Sequence, residues 1–233
     1  MSCLYLNNER SKRMKHFLKR SLQGCVALFI ALVVAGCVAL FVPVEYNLTQ
    51  QNQYPTLPNG CESVSASVAL NGKGVYISAE DFAANYLPKA EFGTATPDEA
   101  YLGNPFGNGY YCYQKPLAEG INSFLATQNT TLKAKTHSLV PLSEVLLRLH
   151  KDGPVIVWGT VDDEIGKRET NVSWTLDGQE YYAYYNLHVM VIDGVKGGKL
   201  HLVDSINGAR WISVLDFLPT YYSMGLRAVF LVD

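Results

Sequence analysis

The run Pro154-Val155-Ile156-Val157-Trp158-Gly159 limits the fold more than any other stretch of the chain. Consecutive large apolar residues bounded by turn formers suit a strand covered on both faces, so protein must lie above and below it. The stretches on either side of this run differ in character. Before it, Val64 and Val68 lie four apart with Ala66, Ala69 and Leu70 filling in, which predicts a helix from Cys61 to a stop at Asn71-Gly72. Ser78 caps a short helix through Phe82, Ala83 and Tyr86 that Pro88 ends. Residues 88–114 carry Pro97, Gly103, Pro105, Gly107 and Gly109 and read as one long loop, a length that is either functional or a liability. Pro116 then opens a third helix with Leu117, Ile121, Phe124 and Leu125 inward, and Pro141 a fourth with Leu142, Val145, Leu146 and Leu149 inward.

After the run the pattern alternates. Val172, Trp174 and Leu176 lead into an Asp177-Gly178 turn and a return over Tyr181–Tyr185, and residues 188–192, 200–204 and 226–232 supply three more strands. Helices first and strands second give an α+β fold, with N-terminal helices packed on an antiparallel sheet.

A different segment precedes this domain. Gly24–Val44 holds 21 residues without a charge, which at 1.5 Å per residue spans about 30 Å of hydrocarbon. Six basic side chains and Glu9 alone come before it, and no Lys or Arg follows until Lys73. The positive-inside rule therefore predicts a basic cytoplasmic tail (1–23), a signal anchor (24–44), a linker (45–52) and an extracytoplasmic domain (53–233) at the cell membrane. Cleavage and secretion, or lipidation at Cys37 within Val34-Ala35-Gly36-Cys37, are the competing readings of the segment. Beyond residue 23 there are 13 basic and 20 acidic groups, which argues against a nucleic-acid partner.

Cys61 is the candidate nucleophile. A Gly delivers it to a first helical turn, where unpaired N–H groups and the positive end of the helix dipole favour thiolate. A base emerges from strand register. His188 and Asp204 are symmetric about Lys196, inside the turn-forming run Asp193–Gly198, so a turn centred there sets them opposite each other on one face. His201 differs from Asp204 by an odd number and faces away. A one-residue slip would undo the pairing. The order Cys, His, carboxylate, with His 127 positions beyond the Cys, is that of papain-like enzymes.

The strings Leu57-Pro58-Asn59-Gly60-Cys61-Glu62-Ser63-Val64-Ser65, Pro116-Leu117-Ala118-Glu119 and Gly153–Thr160, together with the block around His188 and Asp204, resemble the bacterial double-glycine-peptidase-like family, papain-fold relatives of the bacteriocin-processing peptidases. The resemblance covers about residues 53–232. It implies a cysteine nucleophile at Cys61, a base at His188, an orienting carboxylate at Asp204 and an oxyanion-hole amide from a Gln upstream. Gln53 is the best match for that amide, with Gln50 and Gln51 as rivals. Two residues depart from the family's pattern: Ser205 stands where relatives often carry Pro, and Cys112 raises a disulfide with Cys61 in an oxidising compartment.

No phosphate-binding Gly-rich loop ending in Lys-Ser/Thr and no zinc-ligand spacing occurs, so neither a cofactor nor a metal is expected. The acidic turn Asp162-Asp163-Glu164 reads as a solvated loop rather than a cation site. The function expected is a membrane-anchored, extracytoplasmic cysteine peptidase cutting peptide or protein substrates through Cys61, His188 and Asp204. The alternatives are an amidase or acyltransferase on the same residues, and a non-catalytic surface-binding domain.

Overall fold

The computed structural model describes residues 38–233 without a break and only scattered positions before them. Ten of the 21 residues of the apolar segment 24–44, Cys37 among them, therefore fall outside the described residues. Among those that are described, no helix is long and apolar enough to cross a membrane.

The domain is α+β. Strand β1 (Val44–Glu45) leads through an extended stretch to helix α1 (Cys61–Gly72), and helix α2 (Ala79–Asn85) follows. The Ser78 side chain caps α2 by accepting from the Asp81 amide. The long loop holds only β2 (Lys89–Ala90) and β3 (Tyr101–Leu102), which pair in parallel. Helix α3 (Gln114–Leu125), β4 (Lys133–Lys135) and helix α4 (Leu142–Asp152) precede β5 (Val155–Thr160). Then come the hairpin β6 (Arg168–Leu176) and β7 (Gln179–Tyr184), β8 (Leu187–Lys196), β9 (Lys199–Asp204), β10 (Gly208–Ser213), helix α5 (Val214–Ser223) and β11 (Ala228–Val232).

The main sheet runs β10-β9-β8-β5-β11-β4, and β1 adds to β8. All these pairings are antiparallel. β5 is buried throughout, as its apolar run demands. Ile156 and Trp158 pack into the core beneath α1 and α3, while Val155 and Val157 pack into a second core with α4 and α5. Helix α1 has no polar stripe: residues 61–70 are all buried, the environment of a helix enclosed on every side.

The β8–β9 hairpin differs from the expected register in two compensating ways. The turn is Gly197-Gly198, both at positive φ (56° and 78°), rather than centred on Lys196. Gly194 pairs with His201, but Ile192 pairs with Leu202, so Asp193 is the extra residue of a β-bulge. Without the bulge, Asp204 would lie opposite Val191 and on the other face from His188. With it, the pairing Val191↔Val203 carries on so that Asp204 falls opposite Met190 and diagonal to His188, on the same face.

Candidate active site

Leu57, Gly60 and Cys61 form a tight approach to α1. The Gly60 amide donates to the Leu57 carbonyl (3.0 Å), and a Cβ at Gly60 would sit 2.7 Å from the Leu57 Cβ, so only glycine fits. Cys61 is thereby placed at the first position of α1, next to β8: Ser65 Oγ, one turn on, donates to the Val189 carbonyl at 3.1 Å.

On the neighbouring strands His188 and Asp204 form a buried pair. His188 Nε2 lies 2.7 Å from Asp204 Oδ1, with the two side chains 2% and 0% exposed. The same oxygen accepts from the amides of Ile206 (2.8 Å) and Asn207 (3.0 Å). Oδ2 accepts from Asn207 Nδ2 (3.3 Å) and Arg210 Nη1 (3.2 Å). Burial on its own would raise this carboxyl. The bond to His188 and its charge, with the two amides, outweigh burial and hold Asp204 well below the usual carboxylate range. With Nε2 engaged by Asp204, Nδ1 is the His188 nitrogen left to accept a proton.

The structure does not bring Cys61 and His188 into hydrogen-bond contact. The thiol instead donates to Glu62 Oε2 at 3.4 Å, and Glu62 Oε1 accepts from the Cys112 amide at 2.9 Å. Expected to be poised as thiolate by the helix dipole, the thiol is pushed well above its ordinary pKa, by burial first and the Glu62 carboxylate second; a hydrogen bond from the Val189 backbone works the other way. Burial likewise raises Glu62 to about 7. A partial dipole charge at the surface of a turn is weaker than full enclosure beside a carboxylate. Glu62 was missed from sequence. The signal was there: in a helix otherwise built of small and apolar residues, a lone carboxylate must be buried with its neighbours.

Gln53 is 4% exposed and joins the two halves of the site. Its Nε2 donates to the Pro58 carbonyl (2.8 Å), its Oε1 accepts from Ser205 Oγ (2.6 Å), and its backbone amide donates to the Ser205 carbonyl (3.2 Å). Gln50 reaches the Asp204 carbonyl and Gln51 turns to Ser67, away from Cys61. Cys61 and Cys112 are both free and buried, so the disulfide raised by the sequence is not formed. Burial and Glu62 raise the Cys112 thiol as well. His201, on the far face as expected, pairs with Asp193 Oδ1 at 2.6 Å.

The acidic turn is not simply solvated. Asp162 accepts from Lys167 and Asn186, and Asp163 from Arg210. No cluster of three metal-ligating side chains occurs among the described residues.

The profile of the Peptidase_C39 like family matches residues 44–229, most of the chain. The chain belongs to that family. Its fold is shared with the crystal structure of a C39-like peptidase from Bacillus anthracis, at 21% identity and a TM-score of 0.70, covering 82% of this chain and 98% of that one. A double glycine motif protease from an AMS/PCAT transporter, solved in complex with the leader peptide, is 15% identical over 81% of this chain and 96% of its own, with a TM-score of 0.43. The peptidase domain of Streptococcus ComA, a bifunctional ABC transporter, is 11% identical over 80% and 99%, with a TM-score of 0.45. No curated protein matches. As a member of the C39-like peptidases the chain has the α+β, antiparallel-sheet architecture of that family.

Proposed function

We propose that the chain is a cysteine peptidase acting on peptide or protein substrates through Cys61, His188 and Asp204. The observation that carries this is the buried His188–Asp204 pair, whose strand runs directly beside the first-turn Cys61. In the reaction the thiol leaves Glu62, gives its proton to His188 Nδ1 and attacks the scissile carbonyl. Asp204 holds the ring through Nε2 and stabilises the imidazolium. The Cys61 backbone N–H and the Gln53 side-chain amide donate to the developing oxyanion. His188 then returns the proton to the leaving amine, and water hydrolyses the thioester by the same route.

A peptide mixture from digested casein, followed by mass spectrometry, tests the reading: new cleavages should appear with the wild type and vanish with Cys61→Ser and with His188→Ala. Cleavage that survives either substitution would sink it.

We also infer that the enzyme is anchored by residues 24–44 with its domain outside the cell. The uncharged length of that segment and the basic residues before it support this. Protease added to intact cells should degrade the domain and spare an epitope before Arg10; a protected domain would reverse the orientation, and a change of size in Cys37→Ser would mean lipidation.

A further inference from the structure

Arg210 lies in a stretch that sequence patterning left unread, yet it reaches the site. Gly208 pairs with Asp204 and Arg210 with Leu202, so Arg210 shares the face of Asp204. Its guanidinium forks: Nη1 donates to Asp204 Oδ2 at 3.2 Å and Nη2 to Asp163 Oδ1 at 2.6 Å. The side chain is only 24% exposed. The turn that carries Asp163 is itself pinned at both ends of the His–Asp pair. Asn186, two residues before His188, donates from Nδ2 to Asp162 Oδ1 (3.0 Å), and its carbonyl accepts from the Val161 amide (3.0 Å). Asn207, three beyond Asp204, donates to the Val161 carbonyl at 2.8 Å.

We propose that Arg210 is a positioning residue for the reaction: by spanning Asp204 and Asp163 it fixes the Asp204 carboxylate so that Oδ1 faces His188, and thereby makes residues 161–164 a bracket for the site. A planar fork can hold two carboxylates at once, which a lysine ammonium on a flexible stem does less well. Three donors already crowd Oδ1, so the Oδ2 side decides whether the carboxylate can rotate about its Cβ–Cγ bond. Arg210 and Asn207 are its partners there.

The inference rests on the Cys61–His188–Asp204 reading, and its test separates the two. The rate at which iodoacetamide modifies Cys61 is measured at pH 7 in the wild type, Arg210→Gln, Arg210→Lys, His188→Ala and the double variant Arg210→Gln/His188→Ala. Folding is followed by circular dichroism. Arg210→Gln should slow modification about tenfold, one disrupted charge-assisted contact. Arg210→Lys should recover about a third of the wild-type rate, and the double variant should be no slower than His188→Ala alone, because Arg210 acts only through the ring. An Arg210→Gln rate equal to wild type, or a double variant in which the two losses multiply, overturns the positioning role. A His188→Ala rate equal to wild type instead overturns the catalytic reading on which it stands.

Discussion

The two halves of the site are built on opposite electrostatic terms. On the sheet, His188 and Asp204 are assembled, bonded and satisfied, and the environment of Asp204 favours its charge. On the helix, Cys61 and Glu62 are buried together and the environment opposes charge on both. Under the proposed roles, a base with its orienter waits ready while the nucleophile is held as a thiol, stable but unreactive. The helix dipole alone would have suggested the reverse.

Substitution on the two sides should thus move reactivity in opposite directions. Asp204→Asn should cost roughly 10³-fold in peptide turnover, since the imidazole loses the partner that fixes its tautomer. Turnover within tenfold of wild type would mean that the sheet half is not what activates the thiol. On the helix side, Glu62→Gln should keep the bond from the Cys112 amide but remove the carboxylate beside the sulfur. Iodoacetamide should then modify Cys61 about tenfold faster at pH 7, because the thiolate no longer forms beside a carboxylate. Slower labelling would show that Glu62 supports the thiolate rather than opposing it.

Stability sharpens the same contrast. Glu62 sits at about 7 against an ordinary 4.5, so between those values the folded chain binds the proton more tightly than the unfolded one. Stability should fall as pH rises through that window, by about 3 kcal/mol, and level off above it. Urea titrations of Glu62→Gln should lack that slope. Asp204 behaves oppositely: its depressed pKa adds stability above the usual carboxylate range, and that contribution is lost as pH falls below it. The smallest effect should come from Ser205→Ala, which frees Gln53 Oε1: about 1 kcal/mol, or a fivefold loss in kcat with KM unchanged. A change in KM alone would assign Gln53 to substrate binding rather than to the oxyanion.

Local chemistry was the legible part of the sequence. The Ser78 cap, the Asn71-Gly72 stop, the two-faced burial of β5 and the Asp177-Gly178 turn, at φ of 52° and 78°, each follow from a few adjacent residues. Helix α3 began two residues earlier than Pro116 suggested, because Tyr113 already has the extended backbone of an N-cap. β10 and α5 were not read: Pro219 sits inside α5 and masks its period, and β10 starts at Gly208 and buries only Ile212 among exposed and half-buried residues. Arg210 was hidden with them. The proximity of His188 and Asp204 was reached through a turn placed too early and a bulge not foreseen, two errors that preserved the face. Bulges depend on tertiary pairing and leave no compact mark in sequence, so parity arguments across them hold only when the slips sum to an even number.

The bulge also decides how the chain enters the domain. Asp193 projects its carboxylate to the Leu48 amide (2.8 Å), its carbonyl accepts from the Tyr46 amide (2.9 Å), and β1 pairs Glu45 with Gly194. From Gly194 to His188 is about 20 Å of strand at some 3.3 Å per residue. The chain at Val44 is thus fixed to the same sheet that carries His188. If residues 24–44 anchor the chain as proposed, the reach from that anchor to the proposed site is set by a length of β-strand, and a substrate bond must come within that reach to be cut.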